Sequence, residues 1–255
     1  MTNADVNECG VAAETAAAAL VPLAARSGRD QPVSGRVDLP PLVADFVERN
    51  APPGRPTRVR FTQTGEMQLK PDQWRPFEAE QTMALDRVEF SWQARFPLAP
   101  LVALHVHDWY RAGEGGLEIR LFGLRLKRLR GEMVSKGEAM RYLAELPWGP
   151  AAMAHNPELE WRQVDETTVE VATGVAGPRL AVLLHFDDAG DVVAASAKDR
   201  PRGVAKSSET PWIAEVSNYA VLGGVRVPTR AEVRWDLPEG PFVYFRGQIT
   251  ELALS

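Results

Sequence analysis

Cysteine is nearly missing. Cys9 is the single one in 255 residues, which excludes an internal disulfide framework and a cysteine-rich zinc site. It sits in Asn7-Glu8-Cys9-Gly10 with no apolar run before it, so it lacks the setting of a lipid-modified cysteine. Basic charge is in deficit: 29 Lys and Arg stand against 34 Asp and Glu, a net charge of −5. No global positive field draws nucleic acid or anionic lipid. Long apolar runs are absent as well. Val11–Ala25 is broken by Glu14 and Pro22. The stretch near Leu98–Leu104 falls far short of the ~20 residues that a membrane span needs. The opening MTNADVNECG is acidic, unlike a secretory leader, and the expected location is the cytoplasm. There is no Gly-x-Ser-x-Gly elbow, no phosphate-binding glycine loop and no dinucleotide fingerprint. No nucleophile is evident and no cofactor is expected.

What remains is the composition of an ordinary globular chain. Hydrophobic residues make up 45% and charged residues 25%, enough apolar material for a core of useful size. Residues 1–38 form a separate compositional unit: an alanine-rich stretch, Ala12–Ala25, with helical propensity, then a polar linker with Gly28, Pro32 and Gly35. We read residues 1–38 as an N-terminal appendage and residues 39–255 as a single β domain.

The domain opens on a short helix, Pro40–Asn50, with Leu42, Val43, Phe46 and Val47 on one face and prolines at its start. Alternation then takes over. Strands are expected over Thr57–Thr64, Arg75–Ala84, Arg87–Phe96, Leu101–Tyr110 and Leu117–Leu126, the last with a bulge or kink at Gly123. In Arg75–Ala84 the core parity includes Gln81, a buried polar group that needs partners. In Leu101–Tyr110 one face carries His105, His107 and Trp109 and the other carries Val106, Asp108 and Tyr110.

One helix interrupts the strands. Ser135–Leu146 has the S-x-x-E spacing of a capping box in Ser135 and Glu138, and Pro147 ends it. That start puts Gly137 in the first turn, where proline is tolerated, and Leu143 in the interior, where it is not. Ala139, Met140, Leu143, Ala144 and Leu146 fall on one arc, and Glu138, Arg141 and Glu145 on the other. The polar arc is either an exposed ion-pair face or, with Trp148, a wall of a cleft. Hairpins follow over residues 159–173, 179–198 and 212–235, the last turning at Gly223-Gly224, with a final strand at Phe242–Glu251. About twelve strands joined by short turns make an antiparallel meander. A sheet of that size twists and curls. The expected fold is therefore mainly β (α+β): a large curved meander forming a half-barrel, covered by one or two helices.

That order of elements resembles the bacterial lipoprotein-carrier (Lol-type) half-barrels, in which an open sheet cups an apolar cavity plugged by helices. In sequence the chain resembles a bacterial family known only as a domain of unknown function. The likeness covers about Pro40 to Leu254. It is carried by Trp74–Gln81 (WRPFEAEQ), Phe90-Ser-Trp92, Asp108-Trp-Tyr110 with Gly113 and Gly115, Gly137–Glu145 (GEAMRYLAE), Trp148, Trp161, Arg200, Pro211-Trp212, Tyr219, Gly224, Pro228, Trp235 and Tyr244. It implies a fold and no activity.

Three sets of residues carry candidate chemistry. His105 and His107, two apart on a strand, point the same way and have the spacing of a zinc pair. They lack a third ligand at a telling distance, so ordinary hydrogen-bonded histidines are the expectation and no metal is assigned. Asp108, Arg141 and Glu145 suit either an acid–base group or a structural ion-pair network, since buried charges must be paired. The seven tryptophans suit either a filled core or the aromatic wall of a ligand site. Arg120, Arg125, Lys127, Arg128 and Arg130 form a basic run that reads as a solvated strand face, and Asp199–Thr210 a long loop suited to a rim or lid.

The reading that joins these features is a non-enzymatic half-barrel binding or carrying an apolar or amphipathic, lipid-like small molecule. Its expected site is Trp92, Asp108, Trp109, Tyr110, Arg141, Glu145, Trp148, Trp212, Tyr219 and Trp235, with Arg141 anchoring an acidic head group. An enzyme using Asp108, Arg141 and Glu145, with or without a metal at His105 and His107, is the alternative, and a structural module with a filled core is the third. No nucleic-acid partner is expected, and the sequence names no protein partner.

Overall fold

The computed structural model describes residues 39–255 apart from residues 71 and 176. The proposed appendage at residues 1–38 lies outside the described residues. Helix α1 spans Pro41–Asn50, and six strands follow: β1 (Arg58–Lys70), β2 (Gln73–Ala84), β3 (Phe90–Ala99), β4 (Val102–Arg111), β5 (Glu114–Leu121) and β6 (Leu124–Arg130). Helix α2 (Glu132–Ala144) leads through a 3-10 turn at Leu146–Trp148 into α3 (Pro150–His155). Seven strands complete the chain: β7 (Glu160–Gln163), β8 (Thr168–Thr173), β9 (Leu180–Phe186), β10 (Val192–Pro201), β11 (Glu209–Leu222), β12 (Val225–Leu237) and β13 (Gly240–Leu254). No described helix is long and apolar enough to cross a membrane.

The strands form one sheet in the order β6-β5-β4-β3-β2-β1-β13-β12-β11-β10-β9-β8-β7, antiparallel throughout. Two meanders, β1–β6 and β7–β13, are thus joined side by side where β1 pairs with β13. Helix α2 packs against β4, β5 and β6 from one wing and β8, β9 and β10 from the other. A single helix touches both wings only if the sheet curls around it, which makes the half-barrel. Alternation sets the lining: Val59 and Phe61, Phe77 and Met83, Phe90, Trp92 and Phe96 all point inward and are buried.

The count of thirteen strands exceeds the expected twelve because Gly123 is a turn and not a bulge. Phe122 and Gly123 have φ of 51° and 76°, the two left-handed residues of a tight hairpin turn. Asp199–Thr210 is also shorter as a loop than its composition indicates. Strand β10 runs to Pro201, a 3-10 turn covers Lys206–Ser208, and β11 begins at Glu209.

Helix α2 starts three residues before the expected Ser135. Its N-cap is Gly131, and no side chain caps it. The Ser135 hydroxyl instead accepts the Gly115 backbone N–H at 2.9 Å, so the capping box does not form and Glu138 is released from that role. Gly115 matters here, because a Cβ at that position would stand 2.8 Å from Ser135 Cα. Enclosed in the half-barrel, α2 buries Gly137, Glu138, Ala139, Met140, Tyr142, Leu143 and Ala144, on nearly all sides rather than along one stripe.

Candidate functional site

A cavity of about 420 Å³ lies between α2 and the concave face, within the range of small-molecule sites. One part of its wall is aromatic: Trp92, Trp148, Trp212, Trp235, Phe242 and Phe245. The indole N–H groups of three of these are already used. Trp92 Nε1 donates to Gln63 Oε1 at 2.8 Å, Trp148 Nε1 to the Pro228 carbonyl at 2.9 Å and Trp212 Nε1 to Tyr244 Oη at 3.0 Å. The protein satisfies their polar edges, so they serve the cavity as apolar surface.

The other part is charged. Arg141, on α2, donates from Nε to Glu145 Oε1 at 2.8 Å, from Nη1 to Asp108 Oδ2 at 3.0 Å and from Nη2 to Gln81 Oε1 at 3.2 Å. Gln81 Nε2 donates to Glu145 Oε2, which gives the buried amide the partners its parity requires. The guanidinium also lies 5.0 and 4.9 Å from the ring centroids of Phe90 and Trp92. With a partner on each of its three nitrogens Arg141 is an internal clamp, and it also lines the cavity. Burial opposes its charge, but Glu145, Asp108 and Glu138 together push its pKa up.

Two lining residues had no place in the sequence-based site. Glu138 is buried, and its Oε2 has no hydrogen-bond partner among the described residues. Burial first, and the nearby Asp108 carboxylate second, push its pKa up to about 8. Arg200 is buried near the end of β10, with its guanidinium carbon 4.7 and 5.4 Å from the ring centroids of Trp212 and Trp235. Its Nε–H is also unpartnered. Asp108 Oδ1 is a third unpartnered atom; burial raises the Asp108 pKa to about 6 against the opposing pull of Arg141. Three of the four buried unpartnered side-chain atoms found among the described residues therefore belong to residues lining this one cavity. The spacing S-x-x-E hid Glu138 by suggesting a cap, and the surrounding polar residues hid Arg200 by suggesting a loop.

Seven of the ten expected residues line the cavity: Trp92, Asp108, Arg141, Glu145, Trp148, Trp212 and Trp235. The other three lie elsewhere. Trp109 has the opposite parity to Asp108 on β4 and covers Gly116 on the convex face, where a Cβ would stand 2.2 Å from its ring. Tyr110 shares the parity of Asp108 but is buried outside the cavity wall. Tyr219 belongs to the seat of α1. Its hydroxyl donates to the Val192 carbonyl at 2.8 Å, and its ring meets Phe46 edge-on. His105 is exposed, in register with Arg95 and Arg120, and His107 shares a 2.9 Å hydrogen bond with Ser91. Among the described residues no group of three or more potential ligands is arranged around a metal position.

A family model described as a family of unknown function (DUF6544) matches residues 35–247. The chain belongs to this family. The match runs through every residue that carries the charged end of the cavity in this DUF6544 member. No curated protein matches the sequence. Among solved structures, this DUF6544 chain is similar to a LolA superfamily protein from Nitrosomonas europaea, at 10% identity over 84% of this chain and 93% of that one, with a TM-score of 0.48. It is likewise similar to a domain named for outer membrane lipoprotein sorting from Vibrio parahaemolyticus, at 11% identity over 84% and 91%, with a TM-score of 0.49.

Proposed function

We propose that this half-barrel binds and carries an amphipathic small molecule in the cavity under α2, without chemical conversion. The observation that carries the reading is the division of the wall: an aromatic surface on which three of the four indole N–H groups are spent internally, ending in buried polar groups left without partners. A filled core leaves no such volume, and a wholly apolar ligand leaves Glu138 and Arg200 unsatisfied, at about 1–3 kcal/mol or more for each buried polar group. An amphiphile resolves both. Burying its tail contributes about 0.8 kcal/mol per methylene, and its head supplies the missing hydrogen bonds.

One observation favours the catalytic alternative: Glu138 has a pKa pushed up to about 8 beside an Asp108 that stays lower, a split that suits acid and base roles. Of the three residues first considered for that role, Asp108, Arg141 and Glu145, the last two hold each other in an ion pair. The test is native mass spectrometry of the full chain purified from its host without detergent, compared with its denatured mass. A co-purifying lipid-sized mass is the expected result. A bare protein that also takes up no added alkyl probe overturns the reading.

A further inference from the structure

Arg200 and Arg141 are both buried cations at one cavity, in opposite states. Arg141 holds Asp108 and Glu145. Among the described residues no carboxylate pairs with Arg200, whose guanidinium is flanked by the Trp212 and Trp235 rings while its Nε–H finds no acceptor. The titratable and charged groups facing this space are Asp108 from β4, Glu138 and Arg141 from α2, Glu145 at its C-cap, Arg200 from β10, the exposed Arg202 just beyond it and Tyr244 from β13. A buried acid without a partner escapes its penalty by taking up a proton, and Glu138 is in that condition at neutral pH. An arginine has no such escape. With Glu138 neutral, Arg141 takes both remaining carboxylates, and of the two other guanidiniums Arg202 is exposed to solvent while Arg200 is buried. The uncompensated buried charge is therefore the one on Arg200.

We propose that the bound amphiphile carries a carboxylate head, received by the Arg200 guanidinium and by the protonated Glu138 carboxyl as a second donor. This rests on the reading of the cavity as an amphiphile site. Charge-assisted hydrogen bonds to guanidinium are the strong ones, and the flanking indoles fix the plane in which they are offered. Deprotonating Glu138 turns the second donor into a repelling charge, so binding weakens as pH rises past 8.

The test is calorimetric titration of the full chain with decanoate, decylamine and decanol at pH 7 and pH 9. Decanoate is expected to bind about tenfold tighter than decanol at pH 7, as a charge-assisted hydrogen bond allows. That preference is expected to fall several-fold at pH 9. Arg200→Gln should abolish the preference for decanoate over decanol, and Glu138→Gln should keep it at both pH values. Equal affinity for all three probes, or a preference for decylamine, overturns the carboxylate head and leaves the amphiphile site standing. Failure of all three to bind overturns both.

A separate observation concerns the corner formed by the β3–β4 and β5–β6 turns. Five of the eight exposed large hydrophobics among the described residues are here: Leu98, Leu101, Phe122, Leu124 and Leu126. Directly behind them Arg95, Arg120 and Arg125 stand in register with His105 across four strands, Lys127 lies beside them, and Glu118 offsets part of that charge by bridging Arg120 and Arg125. In a chain of net charge −5, this local excess of cations is complementary to one kind of surface. We infer that this corner docks on an anionic bilayer, its apolar tips inserting and its cations meeting the head groups. Sedimentation of the full chain with phosphatidylcholine vesicles, with and without phosphatidylglycerol, tests this. Binding is expected only to the anionic vesicles, weakened by salt, and reduced several-fold by Phe122→Ser with Leu124→Ser. Equal binding to both vesicles, or no effect of the double variant, overturns it. So does a dimer of the free protein that the variant dissolves, which would make the corner a contact between copies.

Discussion

Glu138 is an acid held in a place that favours its neutral form, and this links stability to pH. Its folded pKa of about 8 lies above the usual carboxylate value, so the folded chain binds more protons than the unfolded chain between those limits. Its effect on stability is therefore absent at low pH and becomes increasingly unfavourable as pH rises through that window. Glu138→Gln should leave stability near pH 4 almost unchanged and raise it at pH 8 by about 1–3 kcal/mol, the scale for a buried polar group relieved of its penalty. Urea unfolding at the two pH values checks this, and a gain of equal size at both would refute it. Arg141→Met should act in the opposite sense. It strands Asp108 and Glu145, costing about 3–5 kcal/mol at neutral pH, and the cost should shrink in acid as those carboxylates take up protons. Sequence periodicity places Gln81 and Trp92 on the inner face because strand parity is strict, and on β4 it separates Asp108 from Trp109 without saying which faces inward. It is silent on Glu138 and Arg200, whose roles follow from what the opposite wing of the sheet brings to them.

At the scale of elements, α2 shows how local signals mislead. Ser135 and Glu138 have the right spacing for a cap, but the Ser135 hydroxyl is drawn to the Gly115 N–H because α2 settles closely on β5. The helix therefore begins at Glu132 and its sixth residue is Gly137. This reverses one expectation. Gly137→Pro, tolerated in a first turn, now removes a helix-interior hydrogen bond and should cost about 3 kcal/mol or more, comparable with Leu143→Pro. Thermal unfolding of the two variants decides the start of the helix: a harmless Gly137→Pro would restore Ser135 as the cap. The turn at Phe122-Gly123 was legible in glycine but ambiguous in kind, because the basic and apolar residues on either side of it fit a bent strand as well as two short ones.

For the whole molecule, alternation and short turns suffice to indicate an antiparallel half-barrel, since they dictate neighbours along the chain. They do not dictate the β1–β13 pairing, which joins residues nearly two hundred positions apart and makes two meanders into one sheet. That seam gives the C-terminal strand unusual weight. Strand β13 pairs with β1 on one side and β12 on the other, and it supplies Phe245, packed on Phe77, and Tyr244, stacked on Trp235. Deleting residues 240–255 would unpair two long central strands and remove part of the cavity wall together. Deleting 121–126 and rejoining the chain shortens only an edge hairpin, whose strand β6 is largely exposed. The first deletion should abolish cooperative unfolding of the entire domain. The second should preserve it with a modestly lower midpoint. Circular dichroism followed through a thermal ramp distinguishes them. If the chain without β13 still unfolded in one sharp transition, the two meanders would not depend on their seam, and the cavity between them and α2 would have to be held by the helix alone.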